Sequence, residues 1–218
     1  MVDNTLPQRH IQDGRRDGAV LAENVSFDNF LQFFGEYHAE WIVGKVISVV
    51  SNNKAHQLLL VLLTKLIGLY LDFKQTGQLF SAGYPMLVHP GQPAREPDLI
   101  VLLTGNSHRA KQNYLDGPAD IVVEIVSPES GVRDRGDKFE EYEAAGVTEY
   151  WLFDPLRKEA IFYLLGADGL YHPVPRDTQG RLQSHVLPGF ALSPGVLWRD
   201  ESPNGAEIVA LVQGMVEE

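Results

Sequence analysis

Polar and apolar positions along this chain alternate between helical and strand periods. Residues 1–23 are charged and aperiodic and read as a loose tail. Ser26 then stands ahead of Phe27, Phe30, Leu31, Phe33 and Phe34, a helical spacing with a capping residue in front. Residues 41–50 are rich in β-branched side chains, with Gly44-Lys45 in the middle, which predicts two strands joined by a tight turn. Residues 54–70 carry Leu, Val and Ile around most of a helical circumference, so a heavily buried helix is expected there.

Short strands are expected at 78–82, 85–89 and 98–103, the last two parted by Pro90, Gly91 and Pro93. Residues 106–112 fit a short helix or a loop. Residues 121–126 are an apolar run broken only by Glu124, the pattern of a central strand covered on both faces. A helix over 134–145 is stopped by Gly146, and a second buried strand over 147–153 closes at Asp154-Pro155. Runs at 160–165, 171–174 and 181–187 suggest a meander, and 206–216 a closing helix. No repeat, low-complexity segment or dividing linker is visible. The fold class expected is α/β (α+β), a mixed β-sheet flanked by helices, as a single domain over 24–218.

Composition narrows the chemistry. The 218 residues suffice for a full core, and 44% of them are hydrophobic. With 18 basic and 29 acidic residues the net charge is −11, which repels nucleic acid at long range and leaves only local basic patches for such a partner. No cysteine is present, so thiolate metal sites and cysteine nucleophiles are excluded. The longest apolar stretch, 58–71, is interrupted by Thr64, Lys65 and Gly68 and falls short of the ~20 residues that span a bilayer. Residues 1–16 lack an apolar signal core, so a cytoplasmic protein without membrane contact is expected. Neither a phosphate-binding glycine loop nor a nucleophile elbow occurs.

Three acidic residues stand out by position. Glu124 lies in mid-strand, where an ionised carboxylate is costly unless paired or bound to a metal. Asp98 opens a strand after Glu96-Pro97, and Glu40 precedes Trp41 at the foot of another, with Glu36 as a rival nearby. Carboxylates gathered without cysteine suit Mg²⁺ or Mn²⁺, and such an ion can provide a water nucleophile. Asp134, Lys138 and Tyr142 recur every four residues and share one helix face, from which Lys138 can stabilise developing negative charge.

Pro97-Asp98 followed by Glu124-Ile125-Val126 resembles the PD-(D/E)xK nuclease superfamily. The string over 118–128, then Asp134, Lys138, Tyr142, the stretch 146–151 and Asp154-Pro155, resembles the Uma2 (DUF820) group within it. Glu40-Trp41 through Gly44 with His56 is similar to that group's opening motif, and Leu187-Pro188-Gly189-Phe190 to its closing one. The resemblance covers about residues 25–200. It implies a restriction-endonuclease-like core and an endonuclease hydrolysing phosphodiester bonds in DNA. It further implies Asp98 and Glu124 as metal ligands with the Ile125 carbonyl, Glu40 as an outer acidic residue, and Mg²⁺ or Mn²⁺ as cofactor. The sequence departs from the ExK pattern at Val126, and the resemblance implies that Lys138 replaces the missing lysine. His56, Tyr142 and Ser127 are candidate substrate contacts.

Each residue has a plainer reading. Glu124 can be a buried ion pair with Arg95 or Lys138, Asp98 a strand opener after proline, and Lys138 a surface partner of Asp134. His56 can be a cap or a core histidine, Ser127 a strand end, Tyr142 packing. Arg133, Arg135, Lys138 and Lys111 form either a basic rim or a solvated face. Tyr150 and Trp151 read as core. The alternative function is an inactive nuclease-fold binding or scaffolding module, with a homodimer as its candidate assembly; a third reading keeps the metal and changes the substrate to RNA or a small phosphoester.

Overall fold

The run of β-branched residues folds back on itself at Val43 and Gly44, which both take positive φ (42° and 95°). Two such residues form the primed turn whose twist matches a hairpin. The hairpin joins β2 (Ala39–Ile42) to β3 (Lys45–Ser48), one residue earlier than Gly44-Lys45 suggested. Before it come β1 (Val20–Glu23) and α1 (Phe27–Phe34), the latter capped by Ser26, whose Oγ accepts the Asn29 amide at 3.2 Å. The computed structural model describes residues 18–49, 53–89, 91–127 and 135–217. The stretch expected to stay loose through residue 23 thus ends sooner, because β1 pairs antiparallel with β3; residues 1–17 lie outside the described part.

Next is α2 (Lys54–Lys74), longer than expected and, by length and composition, able to cross a bilayer. Here it lies along a sheet and buries Leu59, Leu62, Leu63, Leu66, Ile67, Tyr70 and Leu71. Each such aliphatic side chain contributes about 1.5–3 kcal/mol. There follow β4 (Gly77–Ser81), β5 (Met86–Leu87), β6 (Ala94–Arg95), β7 (Leu99–Leu103), a 3-10 helix (Thr104–Arg109), β8 (Leu115–Asp116) and β9 (Ile121–Ile125). The chain continues through α3 (Asp137–Ala145), β10 (Glu149–Asp154), β11 (Glu159–Leu165), β12 (Tyr171–Pro173), β13 (Leu182–Gln183), β14 (Ala191–Leu192), α4 (Pro194–Leu197) and α5 (Gly205–Glu217).

The strands form two six-stranded sheets, mixed and flanked by helices as the fold class expected. The first runs β1-β3-β2-β6-β5-β8 and the second β12-β11-β10-β9-β7-β4; β13 and β14 form a small hairpin. The division follows from strands of two residues, β5, β6 and β8, which are too short to leave a periodic signal. In the second sheet β9 pairs parallel with β10 and antiparallel with β7. Its odd positions Ile121, Val123 and Ile125 face the core with α2 and α5, while Val122 and, just past its end, Val126 face the core with α3. Both faces of β9 are covered, as the unbroken apolar run required. Tyr150 and Trp151 are fully buried in β10.

Candidate active site

Glu124 is the one charged residue in β9, and α3 brings it partners. Gly146 ends that helix at φ 83°, its N–H reaching back to the carbonyls of Glu143 and Tyr142. Lys138 and Tyr142, four apart, project from one helix face. Lys138 Nζ donates to Glu124 Oε1 at 3.0 Å, and the Tyr142 hydroxyl donates to the same oxygen at 2.8 Å. Lys138 also lies 3.1 Å from Glu40 Oε1, so one ammonium joins β2 to β9. The side chains of Glu40, Glu124 and Lys138 are each 4% exposed or less.

Arg95 extends the cluster. Its Nη1 donates to Glu40 Oε2 at 2.8 Å, while Nε and Nη2 form a bidentate pair with Glu141 at 2.6 and 2.7 Å. Burial opposes the guanidinium charge, yet the Glu141 bonds and the Glu40 carboxylate win and hold its pKa above the usual range. Burial pushes the Tyr142 hydroxyl far up, and the charges of Glu124 and Glu40 add to this, so it stays protonated as a donor.

Asp98 stands just before β7. The ladder pairs Leu99 with Val123 and Ile100 with Val122, so its next step sets Asp98 opposite Glu124. Opposed residues of an antiparallel pair share a sheet face. Asp98 Oδ2 accepts the Ile125 amide at 2.7 Å. His56, in the first turn of α2 behind the Asn53 cap, places Nε2 3.1 Å from Oδ1 and 3.2 Å from Oδ2 of Asp98. The imidazole is buried, and its Nδ1 has no hydrogen-bond partner among the described residues. The Asp98 side chain is the open member of the group, 16% exposed.

The structure therefore gathers Glu40, Glu124, Lys138 and Tyr142 in one network and sets Asp98, Ile125 and His56 beside it. Of the two partners weighed for Glu124, Lys138 is bonded to it, and Arg95 serves Glu40 and Glu141. Glu36 is exposed and outside the network. Ser127 is buried two residues beyond β9. Val126 is buried in the core beneath α3, so that position supplies packing and not a cation. Arg133 and Asp134 lie outside the described residues. Arg135 pairs with Asp154 and Glu159, and Lys111 lies 3.7 Å from Asp116, which gives a neutralised surface rather than a basic rim. Sequence reasoning missed Glu141, whose signal was its place three residues after Lys138 on the same helix. It also missed Glu96, buried two residues before Asp98. Glu96 Oε1 lies 2.8 Å from His38 Nδ1 and accepts the Gly83 amide at 2.6 Å; its Oε2 accepts the Ala39 amide at 3.0 Å. Burial raises the Glu96 pKa, partly offset by these bonds.

Among the described residues, no three His, Asp or Glu side chains lie close enough together to hold a cation. Mg²⁺ does not demand three, since it keeps several waters and binds through one or two carboxylates. The donor set fits that pattern. Asp98 and Glu124 are two such carboxylates, Asp98 the more open of the pair; among the described residues Arg95 and Lys138 pair with Glu40, Glu124 and Glu141, and His56 lies beside Asp98.

Comparison with known proteins follows the same lines. A family model described as "Uma2: Putative restriction endonuclease" matches residues 27–195. A solved structure, described as a "putative nuclease belonging to DUF820" from Anabaena variabilis, is similar with a TM-score of 0.64. The two are 17% identical, and the similarity covers 80% of this chain and 97% of that one. At that identity the likeness shows the fold. No curated protein matches the chain.

Proposed function

The chain belongs to the Uma2 family, and from that premise we propose that it is a Mg²⁺- or Mn²⁺-dependent endonuclease acting on DNA. The observation that carries the reading is that Asp98 accepts the amide of Ile125, the residue after Glu124, while Lys138 is bonded to Glu124. Asp98 and Glu124 would hold the cation, with the Ile125 carbonyl as the family resemblance implies. When bound, the ion supplies charge neutralisation for the phosphodiester and an acidified water.

The remaining work falls to the chain's own side chains. Lys138 places a positive charge where negative charge develops on the phosphate. Tyr142 fixes the Glu124 oxygen that Lys138 also holds. Glu40 anchors Lys138 from the other side and is itself clamped by Arg95, so both act as positioning residues. His56 and the Ile125 amide orient the Asp98 carboxylate.

The test is cleavage of plasmid and oligonucleotide DNA with Mg²⁺, Mn²⁺ or chelator, using wild type, Asp98→Asn and Glu124→Gln, beside Mn²⁺ calorimetry on the same proteins. Cation-dependent cleavage lost in both variants, with folding retained, is expected. Equal cleavage by all three would mark a contaminant and end the reading. A second reading, an inactive module on a nuclease fold, draws on Val126 in the core and on Lys138 already neutralising Glu124. Absence of both Mn²⁺ binding and cleavage in the wild type would favour it. An RNA substrate in parallel separates the DNA reading from a ribonuclease.

A further inference from the structure

A cavity of about 560 Å³ opens between the C-terminal end of α1 and the β4–β5 connection. Its floor includes Ala39 and Glu96, and its walls carry Phe33, Tyr37, Tyr84 and the amides of Gln112 and Asn113. The volume falls within the range of small-ligand pockets. Neither Lys nor Arg is among the described residues that line it, whereas Glu36 and Glu96 are. A phosphate would be repelled there, so the occupant is neutral or cationic.

Two features favour a neutral planar group. Both oxygens of Glu96 are committed to His38, Gly83 and Ala39, which leaves the floor without a carboxylate free to meet an ammonium ion. Tyr84 is held rigid, its ring stacked on Phe80 at 4.6 Å and its hydroxyl 2.6 and 2.7 Å from the carbonyls of Lys111 and Tyr114. Tyr37 is 43% exposed at the mouth, with a ring available for stacking. Exposed amides at Gln112 and Asn113 present both donors and acceptors. Aromatic walls with amide edges suit a nucleobase.

Position supports the same occupant. Ala39 is followed directly by Glu40, and Glu96 precedes Asp98 by two residues, a separation of at most about 7.6 Å between Cα atoms. Adjacent strand residues point to opposite faces. Ala39, which lines the cavity, and Glu40, which meets Lys138, are thus neighbours on opposite sides of β2, so cavity and cluster lie near the same end of that strand. A nucleic-acid strand crossing that end can keep a phosphate at Asp98 and turn one base into the cavity.

We propose that this cavity binds a single unpaired nucleobase beside the cleaved position, stacked on Tyr37 and read at its edge by Gln112 and Asn113. The proposal rests on the nuclease reading for its biological meaning but is tested without it. Binding of the common deoxynucleosides is measured by saturation-transfer NMR and equilibrium dialysis in chelator, where no cleavage can occur. At least one nucleoside is expected to bind saturably, with affinity reduced about tenfold by Tyr37→Ala, reduced also by Gln112→Ala, and unchanged by Asp98→Asn. Both variants at the cavity mouth alter exposed side chains, and circular dichroism checks their folding. No saturable binding to the wild type, affinity indifferent to both mouth variants, or preference for tetramethylammonium over every nucleoside would each overturn the proposal. Nucleoside binding by a protein that cleaves nothing would keep the cavity and remove the nuclease reading; cleavage without nucleoside binding would do the reverse.

Discussion

Lys138 and Glu124 meet at 3.0 Å with both side chains almost sealed from solvent, one carried by α3 and the other by β9. The ExK pattern would have placed a lysine on β9 itself. Here the strand position is given to Val126, and the cation arrives from the helix that follows. The exchange keeps an ammonium beside the glutamate while letting β9 present an apolar side chain to the core.

Removing that ammonium leaves two buried carboxylates without their shared partner. Lys138→Met is expected to lower unfolding free energy by about 3–5 kcal/mol, read by denaturant titration. Under the proposed function, millimolar Mg²⁺ should stabilise this variant more than the wild type, because the ion takes over part of the lysine's role. Equal Mg²⁺ effects on both would argue against a cation at Glu124.

His56 touches Asp98 from the first turn of α2. His56→Ala should weaken Mn²⁺ binding at matched folding about tenfold or more, as loss of an orienting partner does. His56→Asn, which can still donate to Asp98, should recover part of that loss in calorimetry. If both variants bind as tightly as the wild type, His56 is only a core residue.

Val43 sits at φ 42° in an exposed turn, a conformation unfavourable to a β-branched side chain. Val43→Asn should raise stability by about 0.5–1 kcal/mol, seen as a higher thermal midpoint with unchanged cleavage.

Glu149 is wholly buried and receives four donors: the His185 and Val186 amides at 2.5 and 3.0 Å, Trp151 Nε1 at 2.7 Å and Ser184 Oγ at 2.8 Å. Glu149→Ala strands all four and should destabilise by about 3–5 kcal/mol. Hydrogen exchange should show the β13 loop opening first, since this carboxylate ties it to β10.

Asp154 gives the pH dependence. Burial alone would raise its pKa, but the Arg157 amide, Arg135 and the Leu156 amide outweigh it and bring it below 3.8. A lowered folded pKa adds stability that is complete above the unfolded value and lost as pH falls through the folded one. Asp154→Asn should therefore cost about 1 kcal/mol near neutrality and converge with the wild type as acid protonates the folded carboxylate, below the ordinary carboxylate range. A gap that stays constant across that range would show the contribution to be uncharged packing.

Much of the carboxylate cluster was legible because its members broke local patterns. Glu124 interrupted an apolar run, Asp98 followed a proline at a strand start, and Lys138 and Tyr142 shared a helix face. Arg95 and Glu96 gave no such signal: Arg95 ends a two-residue strand and Glu96 follows it, and their partners Glu40, Glu141, His38 and Gly83 are distant in sequence. The division into two sheets was hidden for the same reason, since β5, β6 and β8 are too short to show a period. The cavity is made by α1, the start of β2 and loops brought together in space, which no spacing along the chain encodes.

Glu40, Arg95, Asp98, Glu124 and Lys138 come from both sheets and their flanks and from α3, which packs on a face of the second. No fragment of the chain holds the arrangement, and local secondary structure formed early would carry none of it. If the proposed chemistry is the protein's work, a nascent or partly unfolded copy is harmless to the nucleic acid around it. Completed folding is then the switch that arms the molecule, and local loosening at α3 is enough to disarm it.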